Sequence, residues 1–118
     1  IVIPGERPTS MNDYYAGAHW SKRSEEANRV HSIVQGYMLA AGIRRGDYIN
    51  PPVTVTVNAY FDNRPLDADN IIAKLYVDGL KGWLLKDDSL KYVAGVATFG
   101  FIDKSNPRVE IIVKEFPN

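Results

Sequence analysis

Between Val53 and Asp62, apolar and polar side chains alternate without interruption: Val53, Val55, Val57, Ala59 and Phe61 against Thr54, Thr56, Asn58, Tyr60 and Asp62. A period of two puts each set on its own face of an extended chain, so this stretch demands a strand buried on one side only. Such a strand is not stable alone; the rest of the chain must supply its neighbours and a layer over its apolar face. With 118 residues, the chain is expected to do this as a single domain spanning 1–118.

The remaining elements follow from periodicity and turn residues. Ile1 to Ile3 reads as a short strand ended by Pro4-Gly5, and residues 6–20 form a polar, aromatic-rich stretch without clear period. Ala27, Val30, Val34, Tyr37, Met38 and Ala41 recur at helical spacing. Ser21 or Ser24 suits the cap of that helix, Glu25 and Glu26 its positive end, and Gly42 its exit. After a turn over Asp47 to Pro52 comes the alternating strand, then a turn at Asn63-Arg64-Pro65. A second helix is predicted from near Asp67–Asn70 to about Lys81, with Ile71, Ile72, Leu75 and Leu80 as its apolar face. The link Lys86 to Ser89 leads to a strand over roughly Lys91–Phe101, and the turn Asp103 to Pro107 to a last strand carrying Val109, Ile111 and Val113. The order β-α-β-α-β-β predicts an α/β fold: one mixed sheet with helices packed on it.

Composition excludes several classes of chemistry. Cysteine is absent, which removes disulfides, thiolate zinc sites and cysteine nucleophiles. No apolar run approaches the ~18 residues of a membrane span, and the opening Ile1-Val2-Ile3-Pro4-Gly5 lacks the features of a secretion signal, so a cytoplasmic protein is expected. There is no nucleophile elbow, phosphate-cradling glycine loop or paired histidine motif. His31, beside the apolar face of the first helix, reads as structural, and nothing near His19 makes a ligand pattern. Lys plus Arg balance Asp plus Glu at 14 each, although a nucleic-acid protein usually carries excess positive charge. The acids are unevenly placed, however: Asp62, Asp67, Asp69, Asp78, Asp87 and Asp88 crowd one stretch. Divalent cations held there would reverse the local charge.

The informative stretch is Asp67-Ala68-Asp69-Asn70, Lys74, Asp78-Gly79-Leu80 and Asp87-Asp88. Two carboxylates at i, i+2 at a helix entrance can converge on one cation, and a third from a separate segment completes a hard-oxygen site of the kind Mg²⁺ favours. Such an ion promotes phosphodiester hydrolysis by activating water and neutralising charge on the phosphate, with a nearby lysine free to hold the phosphate or assist the leaving group. Each residue also has a structural explanation. Asp and Asn are common N-caps, Lys74 and Asp78 are spaced as a helical ion pair, and Asp87-Asp88 suits a turn.

The Asp-x-Asp-Asn opening, the helical lysine, Asp-Gly-Leu and Asp-Asp-Ser after Gly-Trp-Leu-Leu resemble the RusA family of Holliday junction resolvases. The opening Ile3-Pro4-Gly5-x-x-Pro8-x-Ser10-x-Asn12-x-Tyr14-Tyr15 and the closing Pro107-Arg108-Val109-Glu110-Ile111 are similar to that family's ends, so the likeness runs along nearly the whole chain. It implies a bacterial or phage homodimer, dependent on Mg²⁺ (with Mn²⁺ as substitute) and no small-molecule cofactor, that cuts four-way DNA by paired nicks in recombination and repair, without a membrane. It carries the catalytic, metal-holding carboxylates onto Asp67, Asp69 and Asp88 and the lysine onto Lys74, with Asn70 and Asp87 as supports that orient the ligands. One departure stands out. The family lysine follows the asparagine by three residues, whereas Lys74 follows Asn70 by four, so either a local bulge absorbs the extra residue or Lys74 plays a different part.

Contacts to DNA are expected from the segment that mixes aromatic and basic groups, namely Arg7, Asn12, Tyr14, Tyr15, Lys22 and Arg23, together with Arg64. Such a mixture suits stacking on unpaired bases and contact with phosphates; the alternative is a segment folded onto the protein itself or a second subunit. Two rival functions are weighed. A metal-dependent phosphatase would have its first aspartate directly after a strand, but here Asp62-Asn63-Arg64-Pro65-Leu66 intervene. A catalytically inactive DNA-binding or regulatory module of the same fold is the other alternative.

Overall fold

A computed structural model of the chain describes residues 1–17 and 19–117. Four strands, β1 (Val2–Pro4), β2 (Val53–Phe61), β3 (Val93–Ile102) and β4 (Arg108–Glu115), form one mixed sheet in the order β1-β4-β2-β3. β2 pairs in parallel with β3 and antiparallel with β4, which pairs antiparallel with β1. Two helices, α1 (Trp20–Ala40) and α2 (Ala73–Leu80), cover one face. The α/β fold and element order thus agree with the sequence reading. No helix among the described residues is long and apolar enough to cross a membrane.

β2 behaves as its alternation requires. Val53, Val55, Val57, Ala59 and Phe61 are buried under the helices, while the residues between them face the other way. Through the pairing register, that second face also carries Phe99 and Phe101 of β3, Ile112 of β4 and Val2 of β1. These four are 51%, 43%, 37% and 50% exposed, so among the described residues nothing covers this side of the sheet. Its centre is a stack of three groups: Phe101 on Tyr60 at 4.8 Å, and the Arg108 guanidinium 3.7 Å from the Tyr60 ring centre.

α1 buries Val30, Val34 and Met38, one residue per turn, against the core. It begins earlier than expected: His19, not Ser21 or Ser24, is its cap, in extended backbone with Nδ1 accepting from the Ser21 N–H at 3.3 Å. Glu25 and Glu26 therefore lie beyond the first turn. The exit is as expected, since Gly42 takes φ +84°, which favours glycine, and the Ile43 N–H returns to the Met38 carbonyl at 2.9 Å. α2 crosses α1 at Gly79, where an added Cβ would stand 3.1 Å from Val34 Cβ. The half-buried His31 lies at the same crossing, in keeping with a structural role.

Residues 6–17 are more ordered than their lack of period implied. Asp13–Gly17 make a turn of π-helix, and Glu6, buried among core side chains, anchors the segment. Arg29 of α1 donates to both Glu6 carboxylate oxygens at 2.9 and 3.1 Å, and the Tyr76 hydroxyl of α2 donates to Oε2 at 2.8 Å. Arg29 also holds Glu26, which accepts from Thr9. A buried carboxylate is tolerable only with its charge and lone pairs satisfied, and this one joins three segments by being so.

Removing one partner should be costly. Glu6→Ala should lower stability by roughly 2–4 kcal/mol in urea unfolding, since it strands the Tyr76 hydroxyl and half-frees Arg29. Burial, then the Glu6 charge and hydrogen bond, push the Tyr76 hydroxyl well above the usual tyrosine range. The unfolded chain then loses its proton first as pH rises past about 10, and stability should fall from there upward. Tyr76→Phe should flatten that alkaline loss in melting temperatures taken between pH 9 and 11.

Candidate metal centre

The acidic constellation lies on the crossover between the parallel strands β2 and β3. It starts with a turn, not a helix: Asp67 is in extended backbone, Ala68–Asn70 form a short 3₁₀ turn, and Ile71 is extended again before α2 begins at Ala73. The predicted single helix from Asp67 is therefore broken at Ile71 and Ile72. Both are buried, and Ile71 forms an isolated bridge with Ser10 that a helix would not allow. Asn70 to Lys74 is therefore not a continuous helical interval, since Ile71 is extended and α2 starts only at Ala73.

The structural explanation for Asp67 does not apply. Its backbone carbonyl, not its carboxylate, accepts from the Asn70 N–H at 2.9 Å, and the side chain caps nothing. Asp67 and Asp69 are both exposed, and among the described residues neither carboxylate has a hydrogen-bond or ion-pair partner. The turn is pinned onto β3: Thr98 Oγ1 donates to the Ala68 carbonyl at 2.7 Å, and the Leu66 carbonyl lies over Gly100, where an added Cβ would meet it at 3.6 Å. Asn70 Oδ1 accepts from the Asn12 N–H at 3.1 Å.

The second half of the constellation is a groove of about 260 Å³ lined by Lys74, Val77, Asp88, Val93 and Val96. Lys74 pairs with Asp78 at 3.4 Å, which is the helical ion pair its spacing allows. Lys81 lies between two acids, 3.4 Å from Asp78 and 3.6 Å from Asp88. Asp87 is exposed beside Asp88. Burial pushes the Asp88 carboxyl up, but Lys81, backbone hydrogen bonding and Lys74 outweigh it and hold it below the ordinary aspartate range. Burial likewise pushes Lys81 down, and Asp78, Asp88 and Asp87 more than reverse this.

The two halves occupy successive stations on the helix-side face of β3. Thr98 and Gly100 lie under the Asp67–Asp69 turn, and Val93 and Val96 flank the Asp88 groove. Alternate residues of a strand are only about 7 Å apart. Even so, no three His, Asp or Glu side chains among the described residues stand together as a cation-holding group, and the Asp88 carboxylate lies against Lys81. The donors themselves suit a hard divalent ion such as Mg²⁺ or Mn²⁺: carboxylates, with no sulfur or ring nitrogen.

The expected DNA contacts divide. Arg7 is occupied within the fold, donating to the Asn63 and Arg64 carbonyls at 3.4 and 2.8 Å with its guanidinium over Phe61. Arg64 sits in that turn at φ +47°. Tyr14 is half-buried, its hydroxyl donating to the Arg23 carbonyl at 3.3 Å and its ring edge-on to Tyr15. Tyr15, Trp20 and Lys22 remain exposed, and Asn12 is tied to the acidic turn. Glu6 and Thr98, which position these parts, carry no sequence signal, because their partners lie far along the chain. No family model matches the chain, and no curated protein matches it either.

If Lys81 sets the state of Asp88, Lys81→Met should move the Asp88 carboxyl back up toward its ordinary value in an NMR titration. The sign follows from linkage: a lowered carboxyl stabilises the fold above its unfolded value, and that contribution is lost as pH falls through the folded one. An unmoved Asp88 would show that the contact is incidental.

Proposed function

We propose that the chain is a Mg²⁺-dependent endonuclease acting on branched DNA, a Holliday junction resolvase of the RusA type. The observation that carries this reading is the placement of two unpartnered carboxylates, Asp67 and Asp69, next to the groove of Asp88 and Lys74 on one exposed edge of the sheet. In this reading Asp67, Asp69 and Asp88 hold the ion, with Asp88 released from Lys81 as phosphate and cation arrive. Asn70, fixed by Asn12, keeps the turn's shape, and Asp87 adds negative charge beside Asp88. A bound Mg²⁺ supplies charge neutralisation at the phosphate. Lys74, whose side chain is 63% exposed, holds a phosphate oxygen or gives a proton to the departing oxygen. Tyr15, Trp20 and Lys22 offer open stacking and phosphate contacts alongside.

Paired nicks require two sites, so the active form is a homodimer. The uncovered sheet face, with Phe99, Phe101, Ile112 and Val2, offers the apolar surface for it. A second reading, a non-catalytic DNA-binding module, is favoured by one fact: the three carboxylates do not stand together as a group.

Incubation with a synthetic four-way junction, with Mg²⁺ or with chelator, separates the two. Cation-dependent cutting supports the nuclease, and binding without cutting supports the module. Asp69→Asn should reduce cutting by at least about a hundredfold, because charge stabilisation by a metal is worth several kcal/mol. Junction affinity should stay within about twofold, since shape is unchanged; a large loss of binding would count against the role. Sedimentation should give a dimer, and Phe99→Asp should yield an inactive monomer. A fully active monomer would refute the paired-site scheme.

A further inference from the structure

At the end of the sheet where β2 and β3 begin, the chain forms a cleft that the acidic site does not use. It has a volume of about 240 Å³, and its walls are Tyr48, Ile49 and Pro51 on one side and Leu85 and Tyr92 on the other. Lys86 and Lys91 stand at its rim, their ammonium groups 5.7 Å from the Tyr48 ring centre and 5.5 Å from that of Tyr92. Neither lysine has an ion-pair partner among the described residues, and no acidic side chain lines the cleft. Its two sides are fixed to the core: the Ile49 N–H donates to the Leu84 carbonyl at 2.9 Å, and the Tyr92 carbonyl accepts from the Val53 N–H at 2.8 Å.

We propose that this cleft receives one unstacked base of a single-stranded DNA segment, stacked on Tyr48 and Tyr92, with the flanking phosphates on Lys86 and Lys91. The space is smaller than the ~300–1,000 Å³ of sites for drug-sized ligands, so it admits one ring system and no duplex. Its walls are apolar and aromatic, as a base's π-face requires, while its rim is cationic, as a strand's backbone requires. An apolar peptide side chain would use the walls but not the two lysine charges, which have no acidic partner among the described residues, and that charge match decides for the nucleic acid. The link that forms the cleft, residues 85–92, also carries Asp88. The inference rests on the nuclease reading for its place beside a cut site: a strand opened at a branch point would pass from cleft to groove.

The test uses the full chain in chelator, so that cutting plays no part. The probe is a short oligothymidylate with one central 2-aminopurine, whose fluorescence is quenched on stacking. The parent protein should bind it with quenching. Tyr48→Ala should weaken binding at least about fivefold and abolish the quenching, whereas Tyr48→Phe should keep both. Tyr48 is 44% exposed, and Tyr48→Leu, which retains apolar bulk, should also lose the quenching and so guards against a folding defect. Lys86→Ala and Lys91→Ala should each lower the slope of log affinity against log salt by about 0.7. The proposal is overturned if Tyr48→Ala binds and quenches like the parent, or if it weakens binding to a blunt duplex equally. Junction cutting with an inert Tyr48 would sink the cleft alone; a Tyr48-dependent signal without cutting would sink the nuclease reading alone.

Discussion

The parallel pairing of β2 with β3 governs everything on the helix side of the sheet. Adjacent parallel strands cannot be joined by a hairpin, so residues 62–92 must travel back along the length of a nine-residue strand, about 30 Å, before β3 can start. They do so in three pieces: the acidic turn laid over Gly100 and Thr98, the helix α2, and the link through Asp88. Because the return path runs down β3, residues from the two ends of the crossover come to neighbouring places on one strand. The acidic site, whatever it holds, is a by-product of that topology.

The helix layer makes this path firm. Gly79 lets α2 lie close against Val34, which an added methyl group would crowd, and the ion pairs among Lys74, Asp78, Lys81 and Asp88 run along its other side. On the inner side, Glu6 trades a desolvation cost for fixed geometry, bringing the N-terminal segment, α1 and α2 to a single carboxylate. Buried polar bonding at Tyr76 and partly buried ion pairs at Asp78 thus act on the same helix.

What the sequence made legible is what short-range physics decides. The period of two in β2, the helical spacing of Val30, Val34 and Met38, and the exit glycine at 42 each need only their neighbours to be understood. The cap at His19 was hidden because an imidazole competes with two better-known capping serines close by. The break at Ile71 and Ile72 was hidden because both are apolar and helix-compatible, and only the bridge to Ser10 forces them out of a helix. The acidic residues were visible as a pattern, but the contact of Asp88 with Lys81 was not, because it joins the end of α2 to the link that follows. The tyrosine cleft joins residues 48 and 92, which no local pattern relates.

The bond between Asn12 and Asn70, with the Ser10–Ile71 bridge beside it, has a mechanical meaning. It couples the segment bearing Tyr15 to the turn bearing Asp67 and Asp69 through the Asn70 side-chain amide and the backbone of Ser10 and Ile71. The aromatic segment and the acidic turn are thus tied directly to one another, so the place of each is set partly by the other.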